Sequence, residues 1–269
     1  MGKTEEVKFR EAVRKYWEDP STISIIDKNL HKLEIETVCR YLKSTDELVD
    51  IGCGDGEATA VYSQKVKKCT GYELSSFLRK KAAETIKRSG LKNTTIKAGD
   101  ILKMKKIPEK PDVVVTQRLL INLASWNEQK EAIENIYRML KPGGLYIMIE
   151  NTNDAYLALN DMRHQVGLQA IPIHWHNLFF DYDELMSFIK DKFQLLNFHD
   201  FGLYYFLTRI YAPMFLSFSG FGKNAKKDPL FDLSDKAAMD VYNKFKDRFQ
   251  INGSRALGPI QVFVLKKLN

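Results

Sequence analysis

From Glu47 onward the chain alternates short apolar runs with longer amphipathic stretches. ELVDI (47–51), CTGYE (69–73), TTIKA (94–98), DVVVTQ (112–117) and LYIMIEN (145–151) are short runs rich in β-branched and aromatic residues. This pattern predicts buried strands. Between them, Ala58–Lys67, Ser76–Ser89 and Trp126–Leu140 carry apolar residues at helical spacing. Ser125 with Glu128 three residues on forms a capping-box pattern for the last of these, and Lys141-Pro142-Gly143-Gly144 stops it. Upstream, Glu5–Trp17 and Leu30–Leu42 read as helices separated by Asp19-Pro20-Ser21. Beyond Asn151 the rhythm breaks. QLLNFHDFG (194–202) and IQVFVLKK (260–267) read as a sixth and a seventh strand. The fold class expected is α/β, a doubly wound, mostly parallel seven-stranded sheet with helical insertions after strands five and six.

Composition adds few constraints. The chain has 269 residues, of which 44% are hydrophobic and 28% charged. That excludes wholesale disorder, collagen and coiled coil. Three cysteines without metal-like spacing argue against a disulfide scaffold. The first seventeen residues are charged throughout, so a cytoplasmic chain without signal peptide is expected. Leu203–Phe221 is long and apolar, but Arg209 and Pro213 make it a poor membrane span. No stable membrane insertion is expected. The net charge is +7, and residues 203–258, with nine Lys/Arg and five Asp/Glu, hold +4 of it. That favours an acidic small-molecule partner. No basic run suggests a nucleic-acid tail.

The candidate chemistry begins at Val49-Asp50-Ile51-Gly52-Cys53-Gly54-Asp55-Gly56. Glycines directly after a buried strand allow a tight turn and close approach of a ligand to the backbone. A dinucleotide fingerprint needs a glycine where Glu57 stands. The GxGxG spacing suits a nucleoside with an amino-acid tail, whose ammonium Asp50 can meet. Glu73, ending the second strand, is placed to accept both hydroxyls of a ribose. Asp100, in Ala98-Gly99-Asp100-Ile101, can accept an exocyclic adenine amine. Three acids at successive strand ends behind one glycine loop form a specific arrangement.

At these residues the sequence resembles the class I S-adenosylmethionine-dependent methyltransferases. The resemblance covers about residues 46–151 and rests on VDIGCGDG (49–56), GYE (71–73), AGDI (98–101), VVTQR (114–118) and LKPGG (140–144). It implies S-adenosyl-L-methionine as cofactor and S-adenosyl-L-homocysteine as product. The implied cofactor contacts are Asp50, Gly52, Cys53, Gly54, Glu73, Leu74, Asp100, Ile101, Gln117 and Arg118. It further implies a helical lid (1–45), a cofactor-binding core (46–151), substrate-cap insertions (152–190 and 203–258), and strands 194–202 and 260–267 completing the sheet. The family's base-amino, cytosine-C5 and arginine-methylating signatures are missing; Thr116-Gln117-Arg118-Leu119 stands where the first would be. Small-molecule O-methylation is therefore the leading class. Residues 117–152 and 171–181 also resemble methyltransferases of bacterial capsule and O-antigen clusters, which implies a surface-polysaccharide precursor or decoration as acceptor. An RNA-modifying enzyme and a non-catalytic cofactor-binding partner protein are the alternatives.

An alcohol acceptor must lose a proton as its oxygen is methylated. Candidate bases are His174 and His176, which share a face if IPIHWHN is extended, and Glu150, expected at a strand end facing the cleft. Asn151, Tyr204, Arg209 and Arg255 are the acceptor-binding candidates, with Lys223, Lys226 and Lys227 as further anion holders. No metal site is expected. Tyr16 and Trp17 either close over the cofactor or pack the first helix on the sheet. The sequence leaves the oligomeric state open.

Overall fold

A computed structural model describes residues 2–23, 25–218, 229–245 and 257–268. Arg255, Lys223, Lys226 and Lys227 lie outside the described residues. Seven strands form one sheet: β1 (Glu47–Ile51), β2 (Lys68–Glu73), β3 (Thr94–Ala98), β4 (Val113–Gln117), β5 (Leu145–Asn151), β6 (Phe193–Asp200) and β7 (Ile260–Lys267). Their order is β3-β2-β1-β4-β5-β7-β6, with β1 parallel to β2 and β4, β2 to β3, and β4 to β5. The five expected core strands are all present, and the sheet is the expected doubly wound one.

The helices are α1 (Lys3–Glu18), α2 (Lys28–Cys39), α3 (Glu57–Ser63), α4 (Ser76–Arg88), α5 (Trp126–Met139), α6 (Asn153–Gln165), α7 (Tyr182–Ile189), α8 (Gly202–Tyr205), α9 (Ala212–Phe218) and α10 (Pro229–Phe245). Side chains satisfy several of their first turns. Asp27 accepts from the Leu30 N–H, Ser75 from Leu78, Ser125 from Glu128 and Asp181 from Glu184. Glu128 returns its carboxylate to the N–H of Ala124, one residue before the box position. Between α8 and α9, residues Phe206–Tyr211 form a π-helical segment. Among the described residues no helix is long and apolar enough to cross a membrane.

The chain divides into two compact units: residues 1–150, 175–198 and 262–269, and residues 151–174 and 199–261. This corrects one expected boundary. Residues 175–190 are not insertion, because Phe180, Leu185 and Ile189 are buried in the same cluster as Ile133, Ile136 and Phe193. Here α7 covers the sheet, and of residues 151–190 only 151–174 belong to the second unit. In the second unit the Thr152 N–H donates to the Pro259 carbonyl, and Tyr204 packs edge-on against Tyr205 and Tyr242.

Within the first unit the strands are buried where they meet, Val113, Val114 and Val115 being inaccessible or nearly so. β2 carries a glycine at its centre. A Cβ on Gly71 would stand 2.8 Å from Ile96 Cδ1 and 2.9 Å from Cys53 Sγ. The missing side chain lets the loop after β1 settle onto β2. Gly71→Ala should lose about 1–3 kcal/mol of unfolding free energy by overpacking, measured by denaturant melts. Unchanged stability would contradict that packing.

Candidate active site

The chain runs outward from β1 to β3 and then returns to β4, so the β1–β4 boundary is the topological switch point of the sheet. Open α/β sheets bind ligands there, beyond the carboxyl ends of the strands. Ile51, the last residue of β1, pairs with Thr116, so the loop after β1 leaves the sheet next to the end of β4.

The loop after β1 turns through left-handed conformations at Gly52 (φ 73°), Gly54 (φ 56°) and Gly56 (φ 81°). Two anchors hold it. The N–H groups of Gly52 and Cys53 donate to the Tyr72 carbonyl at 2.8 and 3.1 Å. The Glu73 carboxylate accepts the Gly54 N–H through Oε2 at 2.9 Å and the Ser75 N–H through Oε1 at 2.8 Å. A Cβ on Gly52 would strike Leu119 at 2.8 Å, whereas one on Gly54 would meet nothing within 4 Å. The loop is therefore packed at one glycine and open at the next. That open backbone is the cradle an adenosine-bearing ligand requires. Beside it, Leu74 is half exposed despite being apolar, Asp100 is partly exposed, and Ile101 is buried. Asp100 accepts from the Leu102 N–H and lies 3.3 Å from Lys103 Nζ. An acid, an apolar surface and a second acid thus follow the cradle in order, and they fit ribose, adenine ring and adenine amine.

Burial sets the electrostatics. It pushes the Asp50 carboxyl up to about 6, against the lowering effect of the Thr59 hydroxyl, which donates to it at 2.6 Å. Burial also raises Glu73, with the Ser75 and Gly54 N–H groups opposing it. An incoming cation would favour the ionised form of both acids.

Glu150 is a correction. It does not face a cleft: it has no exposed surface, and it accepts the N–H groups of Leu119 (3.1 Å), Leu120 (2.9 Å) and Ile121 (3.3 Å). Such a group cannot reach a substrate proton; it holds the loop after β4. The two histidines do not share a face either. His174 is exposed and belongs to the second unit, while His176 is buried in the first. His176 packs against Tyr16 and Trp17, with ring centroids at 4.6 and 5.7 Å. Tyr204 is fully buried in the second unit and presents no surface to an acceptor; Asn151 is also buried. Arg209 is partly exposed, with its guanidinium over the Tyr205 ring at 5.8 Å.

The first helix does more than pack. The Glu18 carboxylate accepts the N–H groups of Ser76 (2.7 Å) and Phe77 (3.1 Å), the first turn of α4. The Trp17 carbonyl accepts from the Ser75 hydroxyl, and its indole N–H donates to Asn122 Oδ1 at 3.2 Å. The end of α1 thereby joins the loop after β2 to the loop after β4. Sequence reasoning did not find Glu18, Leu119 or Asn122 here, because their roles arise only when three loops converge.

The strand order, with its switch point between β1 and β4, is that of the Rossmann-like methyltransferase fold. Residues 48–144 match a family described as a methyltransferase domain. An uncharacterized methyltransferase of Schizosaccharomyces pombe is 28% identical over 141 residues, 49% of each chain. The alignment thus spans about half the length of that relative. The N-methyltransferase NodS from Bradyrhizobium japonicum, solved with S-adenosylhomocysteine, superposes with a TM-score of 0.55 at 13% identity, covering 97% of this chain and 98% of that one. The [4+2]-cyclase SpnF reaches 0.53 at 18% identity, covering 87% and 80%. These likenesses establish the fold, which one of the two puts to a different reaction.

Burial raises the Glu150 carboxyl to about 8, with the three N–H groups and Arg118 opposing. The fold therefore retains a proton that the unfolded chain releases near pH 4.5, and this group's contribution to stability falls as pH rises between those values. Glu150→Gln should flatten the decline of melting temperature from about pH 5 to pH 8. Parallel curves for the two proteins would contradict the assignment. Glu150→Ala, which strands three buried donors, should lose roughly 2–5 kcal/mol near pH 5.

Proposed function

We propose that the chain is an S-adenosylmethionine-dependent O-methyltransferase acting on an anionic small molecule. The observation that carries the cofactor half is the open backbone at Gly54 beside the buried Glu73 carboxylate. When bound, the cofactor supplies a methyl group on a positively charged sulfur. The protein's own part is alignment. Glu73 and Asp100 hold the nucleoside, Leu74 and Ile101 flank the adenine, and Asp50 and the loop backbone meet the amino-acid end. Glu73→Ala should weaken S-adenosylhomocysteine binding by about 1.5–3 kcal/mol, the scale for hydrogen bonds to a charged group. Unchanged affinity in a folded variant, measured by calorimetry, would end the assignment.

The acceptor half rests on the second unit. Arg163 donates to the Arg209 carbonyl, and burial together with the neighbouring Arg209 charge lowers the Arg163 pKa. An anion bound in this unit would gain from the positive charge of both arginines. A sugar phosphate, a nucleotide-activated sugar or a phosphoryl-type group has that charge. The resemblance of residues 117–152 and 171–181 to capsule and O-antigen enzymes supports a surface-polysaccharide precursor. A phosphoryl oxygen is already ionised and needs no base. Arg209→Gln should raise KM for a phosphorylated acceptor by roughly tenfold and reduce its salt dependence. Equal, salt-insensitive turnover of neutral and phosphorylated forms would overturn the anionic reading.

A further inference from the structure

The outer edge of the sheet in the first unit carries charge of nearly one sign. Residues 76–110 hold eleven Lys/Arg against three Asp/Glu, a net of +8. The whole chain has +7, so everything outside this stretch sums to −1. The sequence scatters these cations in runs no longer than Arg79-Lys80-Lys81. Folding gathers them. β3 is the terminal strand of the sheet and pairs with β2. α4 packs on β3, and residues 99–112 lead from the end of β3 to the start of β4. The return leg of that loop is tied to the edge through Glu109, which accepts from the Tyr72 hydroxyl at 2.7 Å and pairs with Lys97 of β3 at 2.5 Å. The cations of α4 and of the loop therefore flank one strand.

Most of this charge is unanswered. Lys97 pairs with Glu109, Lys103 lies 3.3 Å from Asp100, and Arg79 donates to the Glu73 and Leu74 carbonyls. Lys80, Lys87, Lys92, Lys105, Lys106 and Lys110 are exposed, and among the described residues none of them stands within ion-pairing distance of a carboxylate. A lysine on an edge strand guards it against pairing with another chain. That accounts for Lys97 but not for the cations of α4 and the loop. Like charges gathered at this density repel one another, a cost that a bound polyanion removes.

The make-up of the surface selects its partner. The unpaired groups are lysines, compact hydrated point charges that meet phosphates without a fixed geometry. No large apolar side chain of residues 76–110 is exposed. A protein interface has an apolar centre depleted in lysine, and a membrane-binding helix inserts apolar side chains. Neither feature is present here. α4 alone, with 13 residues, is about 20 Å long, more than a single small anion spans. We propose that this edge is a docking surface for the phosphodiester backbone of a nucleic-acid strand, held without reading its bases. The proposal is independent of the cofactor reading, and its residues are not those of the acceptor reading, which belong to the second unit.

Fluorescence anisotropy of a labelled oligouridylate with the full chain tests it. Affinity should fall linearly with salt on logarithmic axes, and the slope should shrink by about 0.7 for each contacting lysine removed. Lys105→Glu with Lys106→Glu, and separately Lys80→Glu with Lys87→Glu, should each weaken binding by roughly tenfold or more. The control is Lys190→Glu with Lys266→Glu, which removes the same charge from exposed positions beside β6 and β7. β7 stands five strand spacings from β3, beyond a Debye length at ordinary salt, so this pair should leave binding within about twofold. Equal weakening by all three pairs would assign binding to net charge alone and overturn the proposal. Salt-insensitive binding, or no binding by the unmodified chain at low salt, would overturn it as well. So would capture of poly-L-glutamate or of phosphatidylglycerol vesicles in preference to the oligouridylate.

Discussion

At the end of β5 the Glu150 carboxyl, closed off from solvent, takes three successive backbone N–H groups of residues 119–121. That one interaction fixes the loop on which the site leans. Leu119 presses against Gly52 and limits how the glycine turn can lie. Asn122 receives the Trp17 indole and so secures the first helix. Just before the loop, Gln117 and Arg118 reach back to α2. A buried acid with one side chain thus coordinates β1, α1 and α2 around the switch point. A solvent-exposed acid would hold these N–H groups far less firmly, since water competes for every donor.

The sheet and its cofactor loop were legible in the sequence because both have local causes. Five apolar runs became β1 to β5 with boundaries shifted by a residue at most, and Ser125 and Pro142 marked helix ends by their own backbone preferences. The acids at 50, 73 and 100 were visible because the strand ends fix their height in the fold. What escaped was set by distant contacts. Glu150 was placed correctly at a strand end, yet the direction of its side chain depends on a loop thirty residues away. Tyr204 and Arg209 were indistinguishable as candidates until Tyr205 and Tyr242 closed over the first of them. His31 and Glu34, which meet Gln117 and Arg118, do have a signal in the sequence. They lie three apart on the face of α2 that also buries Leu30, Leu33 and Val38. Polar residues on an apolar stripe mark a mate.

Fold and chemistry are separable here. The site argues for a nucleoside carrying an amino-acid tail from local features of residues 50–101. Those features would survive any change of acceptor. The second unit carries the acceptor reading by different means, through its positive charge. Its π-helical segment, which includes Arg209, is a geometry enriched where helices serve function.

Amide hydrogen exchange with and without S-adenosylhomocysteine tests the central claim, that this ligand binds at the β1–β4 switch point, most directly. The account predicts slowed exchange confined to four places in the first unit: the loop 52–56, the turn 73–76, residues 99–102, and the loop at 117–122. Protection confined to the second unit, or no protection at saturating ligand, would contradict it.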